Sequence, residues 1–597
     1  MPSGTAPPVF PLGNGTYDGA IPQKNPSGMR ILFLTHAFNS LTQRLFCELS
    51  ERGHEVSIEF DIADSVAEEA VALFQPHLIV APFLKRAIPE TIWKNHVCLV
   101  VHPGIVGDRG PSALDWAIQE GGEYWGVTVL QAEAEMDAGP VWASAGFPLR
   151  PAKKASIYRN EVTEAAVGAV LEAVERFAAG GFVPRHPGPE ARGRLRPVMQ
   201  QTARHIDWQR DGSATVLAKL NAADGFPGVA DELFGEACRL FDAWPEAALR
   251  GSPGELLARR ETGICRATSD GAVWIGHVKR EGDIKLPATL AFPAAQNLPE
   301  APLEGWWKSK APTWQDIAYE EAGEVGFLSF EFYNGAMGTA QCRRLTEAFR
   351  WAAGRPTQVI VLLGGEDFWS NGIHLNLIET ADEFGSTPAD ESWANINAID
   401  DLAEAVLNCE THLTVAALQG NAGAGGAFLA RAADLVWARD GVMLNPHYKN
   451  MGNLYGSEFW TYLLPPRVGE EGARAIMRHR LPMTAPEAVK LGFYDACLPG
   501  PSAAFRVDVA RRAAELAAAP DLPARLAAKA AKRRADEAAK PLAAWRAEEL
   551  AEMRRNFYGF DPSYHVARYH FVSKSPHSWT PRHLAKHRDL GWEVPVA

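Results

Sequence analysis

The sequence predicts a multidomain α/β protein: a Rossmann-like unit, a small β-barrel, a second α/β unit and a helical C-terminal region. Three observations carry this. Buried apolar runs alternate with helical pattern from Arg30 to Val101, short alternating runs broken by glycine fill the stretch from about 204 to 276, and a new series of buried runs starts at Val325. At 597 residues the chain is also too long for a single core.

Each element follows from its residues. Residues 1–28 are rich in Pro, Gly, Asn and Ser and are expected to form a disordered tail. The first α/β unit is expected over 29–190, with strands at Arg30–Leu34, Gly53–Ile58, His77–Val80 and Val97–Val101 and a helix from Glu161 to Ala179. No Gly-x-Gly-x-x-Gly follows the first strand, which argues against nicotinamide binding there. Runs at Ala237–Phe241, Gly263–Ala267 and Ala272–Gly276 predict the small barrel, over 196–285. A proline-rich linker over 286–320 leads to the second α/β unit, 321–505, with strands at Val325–Phe330, Val359–Leu363 and Leu413–Leu418. A C-terminal helical region is expected over 506–597, and its Ala-, Arg-, Glu- and Lys-rich part from about 505 to 556 reads as packing or oligomerisation helices with a solvated face and no ligand role.

Composition narrows the function classes. The chain is 47% hydrophobic and 22% charged, with a net charge of −13, which argues against a nucleic-acid surface but allows a local basic pocket. Seven cysteines without a Cys-x-x-Cys pair read as reduced thiols of a cytoplasmic protein. No metal-ligand cluster and no membrane-spanning apolar run is present.

Two stretches carry chemistry. In the first, His102 sits just past the end of a predicted parallel strand, where ligand sites of such sheets lie. A histidine suits proton transfer near neutral pH, and a carboxylate such as Asp137 would fix its tautomer. By spacing alone His102 is equally a strand-end cap and Asp137 a turn residue. The segment His102 to Pro111, with Arg109-Gly110, and the turn Asp137-Ala138-Gly139 resemble the formyltransferases that use 10-formyltetrahydrofolate, such as methionyl-tRNA formyltransferase. The resemblance covers roughly 29–285, including Ala203–Trp208 and Pro253–Leu257 in the barrel. It implies that His102 and Asp137 are catalytic and that Arg109 and Gly110 belong to the folate site. Val100 stands where that family carries an Asn that donates to the developing oxyanion. Either another donor substitutes, or the acceptor is a better nucleophile than an amine.

The second stretch joins Ser370-Asn371-Gly372-Ile373-His374 to Gly420–Gly426. Glycine-rich turns after buried strands permit two backbone N–H groups to face one carbonyl oxygen. Together with Leu481–Ala488 and Gly492, these turns resemble the crotonase (enoyl-CoA hydratase/isomerase) family over about 322–505. The resemblance implies an oxyanion hole from the Ile373 and Gly425 amides beside Gly372, and coenzyme A held near Asn334, Gly335, Ala336 and Met337. Hydratases carry a Glu where this chain has Phe428, and their second Glu aligns near Tyr448. Water addition is therefore not expected, and Tyr448 and Glu458 become the groups for proton handling. His374 and His447 read equally as structural.

The order of the two halves, including Asn445-Pro446-His447-Tyr448-Lys449, resembles the HypX/HoxX family of [NiFe]-hydrogenase maturation factors nearly end to end. That resemblance implies formyl transfer from 10-formyltetrahydrofolate to coenzyme A, then decarbonylation of formyl-CoA to carbon monoxide, a ligand of the hydrogenase iron. It also implies small-molecule substrates and maturation proteins as partners. A thiol acceptor, more nucleophilic than an amine, accords with the missing Asn. A hydrolase releasing formate and a non-catalytic CoA-binding scaffold are the alternatives.

Overall fold

The computed structural model describes residues 28–446 and 448–589; the stretch 1–27, within the expected tail, and His447 lie outside the described residues. The first unit is a six-stranded sheet in the order β2-β1-β3-β4-β5-β6, formed by β1 (Arg30–Thr35), β2 (Glu55–Phe60), β3 (Leu78–Ala81), β4 (Cys98–His102), β5 (Tyr124–Gln131) and β6 (Val141–Pro148). β1 to β4 run parallel, and β5 and β6 are antiparallel. The inner strands are apolar throughout because helices cover both faces of such a sheet. The helix expected from Glu161 begins as a π-helical turn, Tyr158–Val162, and becomes α-helical over Thr163–Ala179.

The barrel region is an antiparallel sheet of β7 (Val229–Leu233), β8 (Glu236–Glu246), β9 (Leu256–Arg260), β10 (Gly263–Ala267), β11 (Ala272–Arg280) and β12 (Leu286–Pro287). β11 pairs β8 along its length, β10 through its first half and β12 through its second, the branching expected of a sheet that closes on itself. The linker expected from 286 therefore begins later. Leu286, Ala288, Ala291, Phe292 and Ala295 are buried in the barrel core, because apolar side chains interleaved with the prolines have a hydrophobic face to cover.

In the second α/β unit, β13 (Ile317–Ala322), β14 (Val325–Phe330), β15 (Val359–Gly364), β17 (Leu413–Leu418), β19 (Leu435–Arg439) and β22 (Ala496–Leu498) form one sheet. A smaller sheet joins β16 (Phe368–Ser370), β18 (Asn421–Gly423), β20 (Met443–Asn445) and β21 (Met483–Thr484). Helices Thr339–Ala352 and Pro388–Leu407 share its main core with helix Leu542–Tyr558.

The two α/β units pack directly on each other. Helix Ser40–Glu51 meets the smaller sheet, where Asn445 donates to Gln43 at 3.0 Å and Thr484 to Glu51 at 2.8 Å. Arg159, on the π-helical turn, pairs with Asp367 at 3.2 Å and donates to Asn334 at 3.1 Å. The last α-helix of the C-terminal region, Ser563–Val572, is followed only by a short 3-10 turn at Lys586–Arg588. Beyond the helix the chain returns to the edge strand β2: the Ile58 N–H donates to Leu584 O at 3.0 Å, and His577 stacks on Phe60. An uncovered edge strand is an aggregation hazard, and this return covers it. No helix among the described residues is long and apolar enough to cross a membrane.

Candidate functional site

His102 is the last residue of β4 and is buried. The loop after it folds back, with the Gly104 N–H donating to His102 O at 2.8 Å and the Thr128 hydroxyl donating to Gly104 O at 2.8 Å. This return brings Asp108 against the imidazole, where Nε2 lies 3.0 Å from Asp108 Oδ1. Asp137 lies on the other side, with Oδ2 at 3.6 Å from Nδ1. The hydrogen-bonded partner of His102 is thus Asp108, while Asp137 accepts the Gly110 N–H at 3.1 Å. Gly110 has φ +111°, and a Cβ there would stand 2.2 Å from Arg196 O, so this turn admits no side chain. Arg109 pairs with Glu135 at the loop surface. Asp108 was within the stretch the sequence singles out, but nothing in its spacing ranks it above Asp137.

At the second site, the Asn371 N–H donates to Gly335 O at 2.6 Å, Asn371 Nδ2 to Asn334 O at 2.8 Å and the Met337 N–H to Gly372 O at 2.9 Å. The expected coenzyme segment Asn334–Met337 therefore braces the Ser370–Ile373 turn. Met337 is fully buried, so its side chain is core, and a Cβ on Gly335 would lie 2.5 Å from that of Phe368. Of the four, Asn334 alone offers a side chain to another domain, through Arg159. Gly372 and Gly425 abut: a Cβ on Gly372 would be 3.4 Å from Gly425 N. Among the described residues, neither the Ile373 nor the Gly425 N–H donates a hydrogen bond, which leaves both for a ligand oxygen.

Tyr448 and Glu458 meet behind Gly425. The Tyr448 hydroxyl donates to Glu458 Oε2, and the Tyr448 ring stacks on Phe428, with centroids 5.6 Å apart. Phe428 thus holds Tyr448 from the position where hydratases keep a carboxylate. Glu458 is buried, with Oε1 unpartnered among the described residues, and a Cβ on Gly425 would lie 2.3 Å from that oxygen. Burial, then the nearby Asp400 charge, push the Glu458 carboxyl well above the usual range. Burial and Glu458 likewise raise the Tyr448 phenol. Burial lifts the Asp400 carboxyl to about 6. His374 is structural: its ring accepts the Leu377 N–H at 3.3 Å, and burial drops it to about 3.

One cavity of about 2100 Å³ spans the space between the two sites. His102, Gly110 and Asp137 line it from the first unit, and Phe368, Asn371, Asn421 and Asn445 from the second. Val100 is on its wall. The cavity reaches the edge of the second site at Asn371; Ile373, Gly425, Tyr448 and Glu458 lie deeper and do not line it. From the C-terminal region, beyond the stretch 505–556 expected to form a solvated helical face, Lys574, His577, Trp579, Arg582 and His583 form part of the wall. They do so because the return onto β2 carries them past the mouth of the first site. The clustering of His, Lys, Arg and Trp after Val572 was the available signal. No group of three or more His, Cys, Asp or Glu placed to hold a metal ion occurs among the described residues.

Comparison with known proteins agrees with this division. Residues 58–174 match the formyl transferase family, 199–293 the formyl transferase C-terminal domain and 334–580 the enoyl-CoA hydratase/isomerase family. The first part is similar to methionyl-tRNA formyltransferase of Roseiflexus castenholzii, at 30% identity over 205 residues, 34% of this chain and 63% of that one. The chain is 49% identical to HypX from Aquifex aeolicus, solved in complex with tetrahydrofolic acid, with a TM-score of 0.92 over 95% of this chain and 100% of that one. It is 55% identical over 564 residues to the hydrogenase maturation factor HoxX of Bradyrhizobium diazoefficiens, covering 94% of this chain and 97% of the relative. With similarity at that level along nearly the whole length of both chains, this protein belongs to the HoxX/HypX family of hydrogenase maturation factors.

Proposed function

We propose that this maturation factor makes carbon monoxide from 10-formyltetrahydrofolate in two steps, with coenzyme A carrying the formyl group between its two sites. The single cavity that touches both His102 and Asn371 is the observation that carries this reading. At about 2100 Å³ it exceeds the roughly 300–1,000 Å³ of an ordinary small-molecule pocket, so it has room for a folate and a long thiol carrier together. The tetrahydrofolic acid bound by the Aquifex aeolicus relative supports folate as the donor.

In the first step the thiol attacks the formyl carbon. A C–S bond forms, the C–N bond to the folate breaks, and the thiol proton ends on the folate nitrogen. His102 Nδ1 carries that proton, while Asp108 holds the other ring nitrogen. In the second step the formyl C–H and C–S bonds break. Carbon monoxide leaves, and the formyl proton returns to the thiolate, so no oxidant or reductant is needed. The Ile373 and Gly425 amides polarise the thioester carbonyl. Glu458 and Tyr448, hydrogen-bonded to each other, relay the proton, and burial keeps the pair neutral between turnovers. Formyl-CoA has no α-carbon, so enolate chemistry is not available to this site.

The purified chain, given 10-formyltetrahydrofolate and coenzyme A, is expected to release carbon monoxide that a ferrous haemoprotein traps, one per tetrahydrofolate formed. Tyr448→Phe is expected to stop the gas and accumulate formyl-CoA. Formate as the sole one-carbon product would overturn the reading in favour of a hydrolase, and no turnover of either substrate would leave a scaffold.

A further inference from the structure

Glu458 and Phe459 are consecutive non-glycine residues with φ of +60° each, a left-handed conformation that L-residues rarely adopt. Their backbone amides are gripped from two separate helices. The Glu458 N–H donates to Asp400 Oδ1 at 2.9 Å, from helix Pro388–Leu407. The Phe459 N–H donates to Glu549 Oε2 at 2.9 Å, from the C-terminal helix Leu542–Tyr558. The other oxygen of Glu549 accepts the Thr461 N–H at 2.8 Å and its hydroxyl at 2.6 Å, which closes the turn. Asp400, Glu458 and Glu549 are all buried, an arrangement that is costly unless each carboxyl is hydrogen-bonded, as these are to the turn and to Tyr448.

This grip decides where the Glu458 side chain points. With the backbone turned left-handed, Oε2 reaches Tyr448 and Oε1 stands against Gly425 without a partner. In an ordinary extended or helical conformation, the Cα–Cβ bond would leave along a different direction, and the carboxyl would not meet both groups. We propose that Asp400 and Glu549 are positioning residues of the carbon monoxide-releasing site, which hold the Glu458–Phe459 turn so that Glu458 faces the thioester carbonyl, and that the C-terminal helix is therefore part of that site. The inference rests on the proposed roles of Tyr448 and Glu458.

Asp400 also sets the protonation of Glu458. The charged or titratable groups around Glu458 are Tyr448, Asp400, Glu549 and Cys342, and Arg546 stands 3.9 Å from Asp400 on its far side. The Asp400 charge raises the Glu458 carboxyl, so removing that charge while keeping an oxygen acceptor lowers it.

The test uses the full chain and measures the two half-reactions separately: tetrahydrofolate formation from 10-formyltetrahydrofolate and coenzyme A, and carbon monoxide release from supplied formyl-CoA. Asp400→Leu and Glu549→Ala are expected to lower kcat for gas release at least 100-fold, with KM for formyl-CoA changed less than threefold and tetrahydrofolate formation unchanged. Asp400→Asn and Glu549→Gln, which keep an acceptor oxygen, are expected to retain at least a tenth of kcat. Asp400→Asn is further expected to move the Glu458-dependent limb of the pH profile to lower pH. If the larger substitutions prevent folding, that pH displacement in Asp400→Asn decides the matter, because a merely structural carboxylate would not cause it. An unchanged pH profile in Asp400→Asn, or full gas release by soluble Asp400→Leu and Glu549→Ala, would overturn the inference. If Glu458→Gln itself releases carbon monoxide at the parent rate, the assignment of Glu458 fails first, and the two failures are told apart by that variant.

Discussion

His102 and Asp108 are joined by a buried hydrogen bond of 3.0 Å, made across the single turn that leaves the last parallel strand. It leaves Nδ1 of the imidazole facing Asp137 and the cavity, and it makes Asp108 the group that fixes the tautomer.

Asp108→Ala is therefore expected to slow tetrahydrofolate formation by roughly 10²–10⁴-fold, the range of a lost acid–base function. Asp108→Asn, which keeps an acceptor oxygen, should be milder. Single-turnover mixing with 10-formyltetrahydrofolate and coenzyme A measures both. A parent-like rate in Asp108→Ala would return the orienting role to Asp137.

Gly425→Ala tests the second site without touching the first. The new methyl would meet Glu458 Oε1 at 2.3 Å and displace that carboxyl from its place beside Tyr448. The Gly425 amide is retained, so the expected loss is that of a correctly placed proton-transfer group, a fall of roughly 10²–10⁴-fold in carbon monoxide release from formyl-CoA. Formyl transfer should proceed normally, so formyl-CoA accumulates, as chromatography of the quenched reaction will show.

Glu59 ties the returning C-terminal segment to β2. His587 Nε2 lies 2.9 Å from Glu59 Oε2, and Thr580 and Arg588 donate to the same carboxylate. Burial raises this carboxyl, but the His587, Thr580 and Arg588 hydrogen bonds outweigh it and hold the group below the usual range. Breaking such a buried cluster costs about 3–5 kcal/mol locally. Glu59→Ala should expose the 573–589 segment to limited proteolysis, and should raise the ratio of formate to carbon monoxide as water enters the cavity. The stabilisation is present above the ordinary glutamate pKa and is lost as pH falls through the lowered folded value. Acid should therefore release the same segment in the parent.

Glu549 predicts a pH trend of opposite sign. Burial raises it to about 8, so between its unfolded value near 4.3 and pH 8 the native state holds a proton that the unfolded state has lost. Stability contributed by this group falls as pH rises through that window, by at most about 1.4 kcal/mol per pH unit. Thermal melts of Glu549→Gln should show a shallower decline from pH 5 to 8 than the parent. Parallel curves would mean that Glu549 is ionised in the native state throughout.

Much of the fold was legible in the sequence, because the signals were local. β4 ends at His102, one residue beyond the expected apolar run, and β10 occupies the expected Gly263–Ala267. The glycine turns at Gly110 and Gly425 mark places where backbone approaches backbone or a carboxylate too closely for a side chain. The linker begins later than the prolines around 286–300 suggest, because the apolar residues between them fill the barrel core. Asn334–Met337, expected to hold coenzyme A, also braces the second site, through bonds to Asn371 and Gly372 that only the tertiary structure shows.

By itself the sequence determined the order of the units, the strand-end histidine and the two glycine turns, since each depends on residues close together along the chain. Only the tertiary structure decided which carboxylates serve them. Asp400 reaches Glu458 across 58 residues, Glu549 reaches Phe459 across 90, and His587 reaches Glu59 across 528. No local spacing encodes such pairs. They arise where packed helices and a returning chain bury polar groups together, and a buried carboxyl or amide must find a partner wherever the fold supplies one.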